Sequence, residues 1–275
     1  MSEQQWRPDF LQASLIFEPL SGAGRYLEKL RKWPSLGDLN NQLANLLQPI
    51  KTTSGHSIRY VSQDISVDAF AKRYEPRIYL TGAIQTRAQN WHDLFNALVW
   101  LTFPRAKAML NQLHYQALLQ EQQANETCRG SLRDAATLFD ESGVVVVSSH
   151  DQLSQMLRGF EWKALFWERR AMLGAHMKFF IFGHGLYEKG LNPYIGMTGK
   201  GIVLSVGADF FSQPLQKQLL DIDEKLAGFI GQNLSVSTDL TPVPVLGYPG
   251  WSLDNSDSRY YDNKRYFRAR PKPVS

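Results

Sequence analysis

Asn90-Trp91-His92-Asp93-Leu94-Phe95-Asn96-Ala97-Leu98-Val99-Trp100-Leu101-Thr102-Phe103-Pro104 reads as a helix that is apolar almost all round. Its polarity is confined to one side. At about 100° per residue, His92, Asp93 and Asn96 share one wedge, while Leu94, Phe95, Leu98, Val99 and Leu101 fill the remaining surface. Polar groups on a helix this apolar cost stability unless they are partnered, so the wedge is the first candidate site. Asn90 is placed to cap the helix with Asp93 three residues later, and Pro104 either ends or kinks it before a second amphipathic stretch, Arg105 to Gln123.

Upstream, residues 1–50 read as a helical lead-in, with Ser35 capping a segment through Leu39, Leu43, Leu46 and Leu47 that Pro49 stops. Ser57 to Ser62 alternates weakly as a strand, and Tyr74 to Thr81, interrupted by Pro76, is expected to be extended or an edge strand. Downstream, Ala135 to Phe139 and Val144 to Ser148 flank Asp140-Glu141-Ser142-Gly143, which predicts a β-hairpin. His150-Asp151 leads into a helix, and Phe179 to Lys189 is expected to be helical despite Gly183 and Gly185, whose presence implies a close approach. Ile202 to Val206 is read as a strand and Pro214 to Ile230 as a helix. The proline-rich stretch from Thr241 cannot sustain a helix. The expectation is a mainly helical α+β domain with a hairpin or small antiparallel sheet: lead-in 1–50, core 51–240, and an irregular aromatic and basic segment 241–275 packed on it.

The chain has 275 residues, 43% of them hydrophobic, enough for one large packed domain. No apolar run approaches the roughly 20 residues of a membrane span, and the first residues lack the pattern of a secretory signal. A single cysteine, Cys128, rules out an internal disulfide, and a cytoplasmic protein without membrane contact is expected. The formal charge of +4 mildly favours anionic partners. Lys264, Arg265, Arg268, Arg270 and Lys272 interleave with Tyr260, Tyr261, Tyr266 and Phe267, a composition that suits either nucleic-acid contact or a solvated arm packing its aromatics on the body.

These stretches have a family likeness. Tyr74-Glu75-Pro76-Arg77-Ile78, Thr86-Arg87, the block from Asn90 through Lys107, Leu110-Asn111 and His114 resemble the core signature of the bacterial domain-of-unknown-function family numbered 3025. Arg133-Asp134-Ala135, Thr137 to Glu141, Phe182-Gly183-His184 with Leu186 to Lys189, and Pro244 to Gly247 with Pro249-Gly250-Trp251 are similar to it in order and spacing. The resemblance implies a bacterial cytoplasmic setting and carries over no activity and no catalytic residues, so function has to come from the side chains.

Phosphate loops, dinucleotide fingerprints, H-E-x-x-H and nucleophile-elbow motifs are missing from the sequence, and Gly196 to Gly201 leads into a β-like run rather than a helix. What remains is a set of polar residues near apolar helical surface. His92 and Asn96, and His184 and Glu188, are each four apart, so each pair shares a helix face. Two histidines with one or two carboxylates would suit a divalent metal with an open position; without metal, His92 or His184 would be the general base oriented by Asp93 or Glu188. Asn96, Arg87, Arg133 and Asn111 are the expected substrate-binding residues, the arginines holding an anionic group. Against this, a histidine on an apolar face is more often a satisfied core residue, His114 could sit at the surface, and Asp140 and Glu141 are expected in the hairpin turn. The two function classes are a His/carboxylate hydrolase for an anionic substrate, a nucleotide or nucleic acid included, and a non-catalytic module binding nucleic acid or protein through the basic aromatic C-terminal region.

Overall fold

A hydrophobic helix with a polar wedge must be enclosed on most sides, and the chain does this with helices packed on small sheets. The computed structural model describes residues 4–63, 69–124 and 130–270; Cys128 and Lys272 lie outside them. Short 3₁₀ turns and α1 (Ser21–Gly24) lead to α2 (Leu36–Ala44), β1 (Arg59–Val61), α3 (Tyr74–Thr81) and β2 (Ala83–Gln85). The middle holds α4 (Trp91–Thr102), α5 (Pro104–Gln123), α6 (Ser131–Ser142), β3 (Gly143–Ser148), α7 (Asp151–Gly159) and α8 (Arg170–His176). There follow β4 (Met177–Ile181), α9 (His184–Gly190), β5 (Thr198–Ser205), α10 (Leu215–Asn233) and β6 (Thr241–Pro244). The fold is α+β. One sheet runs β4-β3-β5-β6, with β3 antiparallel to β4 and parallel to β5, and β1 pairs with β2 in parallel. Every residue of β3 is buried, as a central strand covered on both faces should be.

Local chemistry explains the helix ends. Asn90 Oδ1 accepts the Asp93 amide at 3.0 Å, and Ser35 with Asp38 forms a reciprocal capping box on α2. Pro104 occupies the first turn of α5, where its missing N–H removes no bond. The open amides of Arg105 and Ala106 donate instead to the Asp223 carboxylate, reaching over from α10 at 3.0 and 2.9 Å.

Four sequence expectations need correction. Residues 135–148 do not form a hairpin: Ala135, Ala136 and Phe139 are the buried face of α6, which ends where β3 begins, and β3 finds both partners far away in sequence. Tyr74 to Thr81 is helical because Pro76 falls in the first turn, where proline is tolerated, and Gly82 at φ +69° closes the helix in the left-handed region. Phe179 to Lys189 splits into the end of β4 and the start of α9, with Gly183 at the corner. Part of the C-terminal segment is regular: Thr241 to Pro244 forms the edge strand β6, the one place a sheet accepts two prolines. Tyr261, Tyr266 and Phe267 are buried, while Lys264, Arg265, Arg268 and Arg270 stay exposed, so the aromatics serve the body.

Asp223 gives a pH test of this packing. It is 2% exposed, and burial pushes its carboxyl up to about 6, against the pull of the two backbone amides it caps. A folded-state value above the unfolded one means stability is fully present below about pH 4 and is lost as pH rises through 6, by about 3 kcal/mol for two units. Asp223→Asn is therefore expected to flatten the dependence of unfolding free energy on pH between 4 and 7. Parallel urea-unfolding curves for the two proteins across that range would contradict it.

Candidate functional site

Three elements deliver the polar wedge to one place. The start of α4 supplies His92, Asp93 and Asn96, the end of α6 supplies Asp140 and Glu141, and the β4–α9 corner supplies His184 and Glu188. The glycines around His184 let these elements touch. A Cβ on Gly183 would lie 2.4 Å from the Gly143 nitrogen, and one on Gly185 would lie 2.9 Å from the Glu141 carbonyl oxygen and 2.6 Å from its Oε2. Only bare backbone lets the corner seat against the α6–β3 junction, which answers the close approach expected of this pair.

His184 Nε2 lies 3.0 Å from His92 Nε2, and Glu141 Oε1 lies 3.4 Å from the first and 3.5 Å from the second. His92 Nδ1 bonds Glu188 Oε2 at 3.0 Å, which in the neutral ring puts the proton on Nδ1 and leaves the Nε2 lone pair facing the other two atoms. His184 Nδ1, buried without a hydrogen-bond partner among the described residues, stands 3.7 Å from Asp140 Oδ2. With both Nε2 atoms bare the three atoms repel one another, and either a proton on a ring nitrogen or a metal cation between them relieves this. Hydrogen bonding to Glu141, opposed by burial and aided by Glu188, raises His92 above its ordinary value, so the carboxylate favours positive charge on the rings beside it. Burial pushes Glu141 upward, but the bonds from His184 and His92 outweigh it and hold the carboxyl well below the usual range. The ligand atoms of His92, His184 and Glu141 are close enough together that one metal ion could share all three. A tetrahedral ion about 2.0–2.2 Å from each ligand atom sets those atoms roughly 3.3–3.6 Å apart; Glu141 Oε1 stands at that spacing from both rings, and the two Nε2 atoms at 3.0 Å would open by a few tenths of an ångström.

The trio opens into a cavity of about 420 Å³ also lined by Gln63, Tyr74, Glu75, Arg87, Asn96 and His114. Behind the wall, Lys107 is 4% exposed and donates to Asn96 Oδ1 at 2.8 Å and to Asp140 Oδ1. Burial raises the Asp140 carboxyl, but Lys107 and His184 more than offset this and keep it low.

Of the residues expected at a site, His92, Asp93, Asn96, Arg87 and His184 line this cavity, and Glu188 backs His92. Asp93 does not orient a histidine. Its carboxylate takes Arg87 Nη2 at 2.8 Å and Nε at 3.0 Å, which also occupies the Arg87 fork. Arg133 is paired with Glu121 and does not line the cavity. Asn111 is buried beneath it, donating to Glu75 Oε2 at 2.6 Å. His114 is buried rather than at the surface and lines the cavity. Glu141 is the participant that sequence reasoning assigned to a turn. The signal that could have found it is the helical spacing of Ala135, Ala136 and Phe139, which extends α6 far enough to carry Glu141 at its end.

Among the described residues no helix is long and apolar enough to cross a membrane. The family model described as "Protein of unknown function (DUF3025)" matches residues 58–271. No curated protein and no solved structure matches the chain.

Proposed function

The chain belongs to the DUF3025 family, whose description specifies no reaction, and on that footing we propose that it is a metal-dependent hydrolase with His92, His184 and Glu141 as metal ligands. One observation carries the reading: two imidazole Nε2 atoms and one carboxylate oxygen stand 3.0–3.5 Å apart at the wall of a cavity. Two histidines and one glutamate form a three-ligand set that suits zinc or a similar divalent ion and leaves a coordination position open. Such an ion lowers the pKa of water in that position and polarises a substrate oxygen.

The surrounding residues support the same role. Glu188 holds the proton of His92 on Nδ1, so the ring offers Nε2 in a fixed orientation, the usual contribution of a carboxylate behind a ligating histidine. Asp140, on the far side of His184, stands 3.7 Å from its Nδ1, beyond hydrogen-bond reach, and supplies negative charge behind that ring rather than a fixed proton. His114 is a buried side chain lining the cavity outside the ligand set, and its ring is placed to take part in proton transfer.

The full-length protein, stripped with a chelator and titrated with Zn(II), is expected to take up one ion per chain at micromolar concentration or below. Hydrolysis of carboxylic or phosphoric p-nitrophenyl esters should then appear only in the loaded protein. If no divalent ion binds in that range, the reading fails.

A further inference from the structure

Asn96 and Tyr74 form a relay whose direction can be assigned. Lysine only donates, so the Asn96 atom 2.8 Å from Lys107 Nζ must be the carbonyl oxygen, and the amide nitrogen must be the atom facing Tyr74. That nitrogen donates to the Tyr74 hydroxyl oxygen at 2.7 Å. The tyrosine oxygen is therefore an acceptor here, and its own proton points elsewhere. Among the described residues no acceptor takes that proton, and Tyr74 lines the cavity shared with His92, His184 and Glu141. A cation at the start of the relay polarises the amide, and the amide polarises the phenol, so each bond strengthens the next donor. Burial, with Glu75 and Asp140 nearby, raises the Tyr74 hydroxyl well above its ordinary value, which keeps it a donor at any physiological pH.

The charges around the cavity limit what that donor can meet. Glu75, Asp93, Asp140, Glu141 and Glu188 stand against Arg87 and Lys107, five carboxylates to two cations. Both cations are paired with a carboxylate: Arg87 meets Asp93 through Nε and Nη2, and Lys107 is divided between Asp140 and Asn96. A divalent ion would still leave one excess negative charge. Among the described residues every cation a phosphate would meet here is already neutralised by a carboxylate, leaving the metal alone to attract it, whereas an uncharged carbonyl needs only the metal and one donor, as a tetrahedral oxyanion develops.

Resting on the metal-dependent reading above, we infer that the substrate is an uncharged acyl compound, an amide or ester, and that the Tyr74 hydroxyl donates to its carbonyl oxygen. This replaces the anionic substrate that Arg87 and Arg133 suggested from sequence.

The test uses full-length protein loaded with Co(II), whose visible absorption reports ligands entering the site. Acetamide is the uncharged acyl probe and inorganic phosphate the anionic one. Acetamide is expected to bind more tightly than phosphate, and Tyr74→Phe to weaken acetamide about tenfold while leaving phosphate and Co(II) affinity unchanged. Equal acetamide binding by the variant, or phosphate binding as tight as acetamide, overturns this inference and leaves the metal site standing. A variant that no longer holds Co(II) overturns it as well, since Tyr74 would then be a structural residue. A native protein that never acquires a Co(II) spectrum brings down the metal-dependent reading itself.

Discussion

Replacing His184 with alanine is expected to weaken Zn(II) binding by roughly 10²–10³-fold. Structural zinc sites bind with about 10–16 kcal/mol in total, so one ligand among four is worth about 3 kcal/mol, and each 1.4 kcal/mol is a factor of ten. His184 is 6% exposed and its Nε2 is one of the three converging atoms, so its loss removes one ligand outright. Glu188→Gln should act more weakly, by about 10–100-fold, because the amide can still meet the His92 ring but no longer favours a proton on Nδ1. The order of effects separates a metal site from a structural His–His contact. A purely structural role predicts loss of thermal stability in His184→Ala with no change in zinc affinity, and competition against a chromophoric chelator would reveal it.

The His92 and Asn96 side of this site is legible in the sequence because a helix imposes its own geometry. Once residues 90–104 are read as helical, the shared face of these residues follows from rotation per residue alone. His184 with Glu188 is legible for the same reason, although α9 starts later than the pattern suggested, because Phe179 to Ile181 are as suitable for a buried strand as for a buried helix. Glu141 was hidden by a genuine ambiguity. Val144 to Val147 announces a strand, and Asp-Glu-Ser-Gly ahead of it resembles a turn, but the turn reading needs a partner strand immediately upstream. The partners are β4 and β5, and the preceding residues are free to be helical. Tyr74 was hidden by Pro76, which breaks a helix interior but is harmless in a first turn, a distinction that depends on where the helix begins. The ion pairs were illegible in principle. Arg87 with Asp93 is six residues apart, Lys107 with Asp140 is 33, and nothing in either spacing tells a substrate-binding cation from a committed one.

Lys107 is where this commitment has its largest expected cost. Lys107→Met keeps the length of the side chain and removes the charge, leaving Asp140 in a wall where its side chain is 14% exposed and its partner cation is gone. The loss of one member of a buried pair costs about 3–5 kcal/mol, because the other charge keeps its desolvation penalty without its attraction. Asn96 Oδ1 loses its donor as well, so the amide is free to turn over and present its oxygen to Tyr74. Denaturant unfolding should show the single variant destabilised by that amount. Lys107→Met combined with Asp140→Asn should be less destabilised than the two single changes added together, by at least about 2 kcal/mol, because the double change leaves neither charge stranded. Strict additivity would mean that the two groups do not stabilise one another.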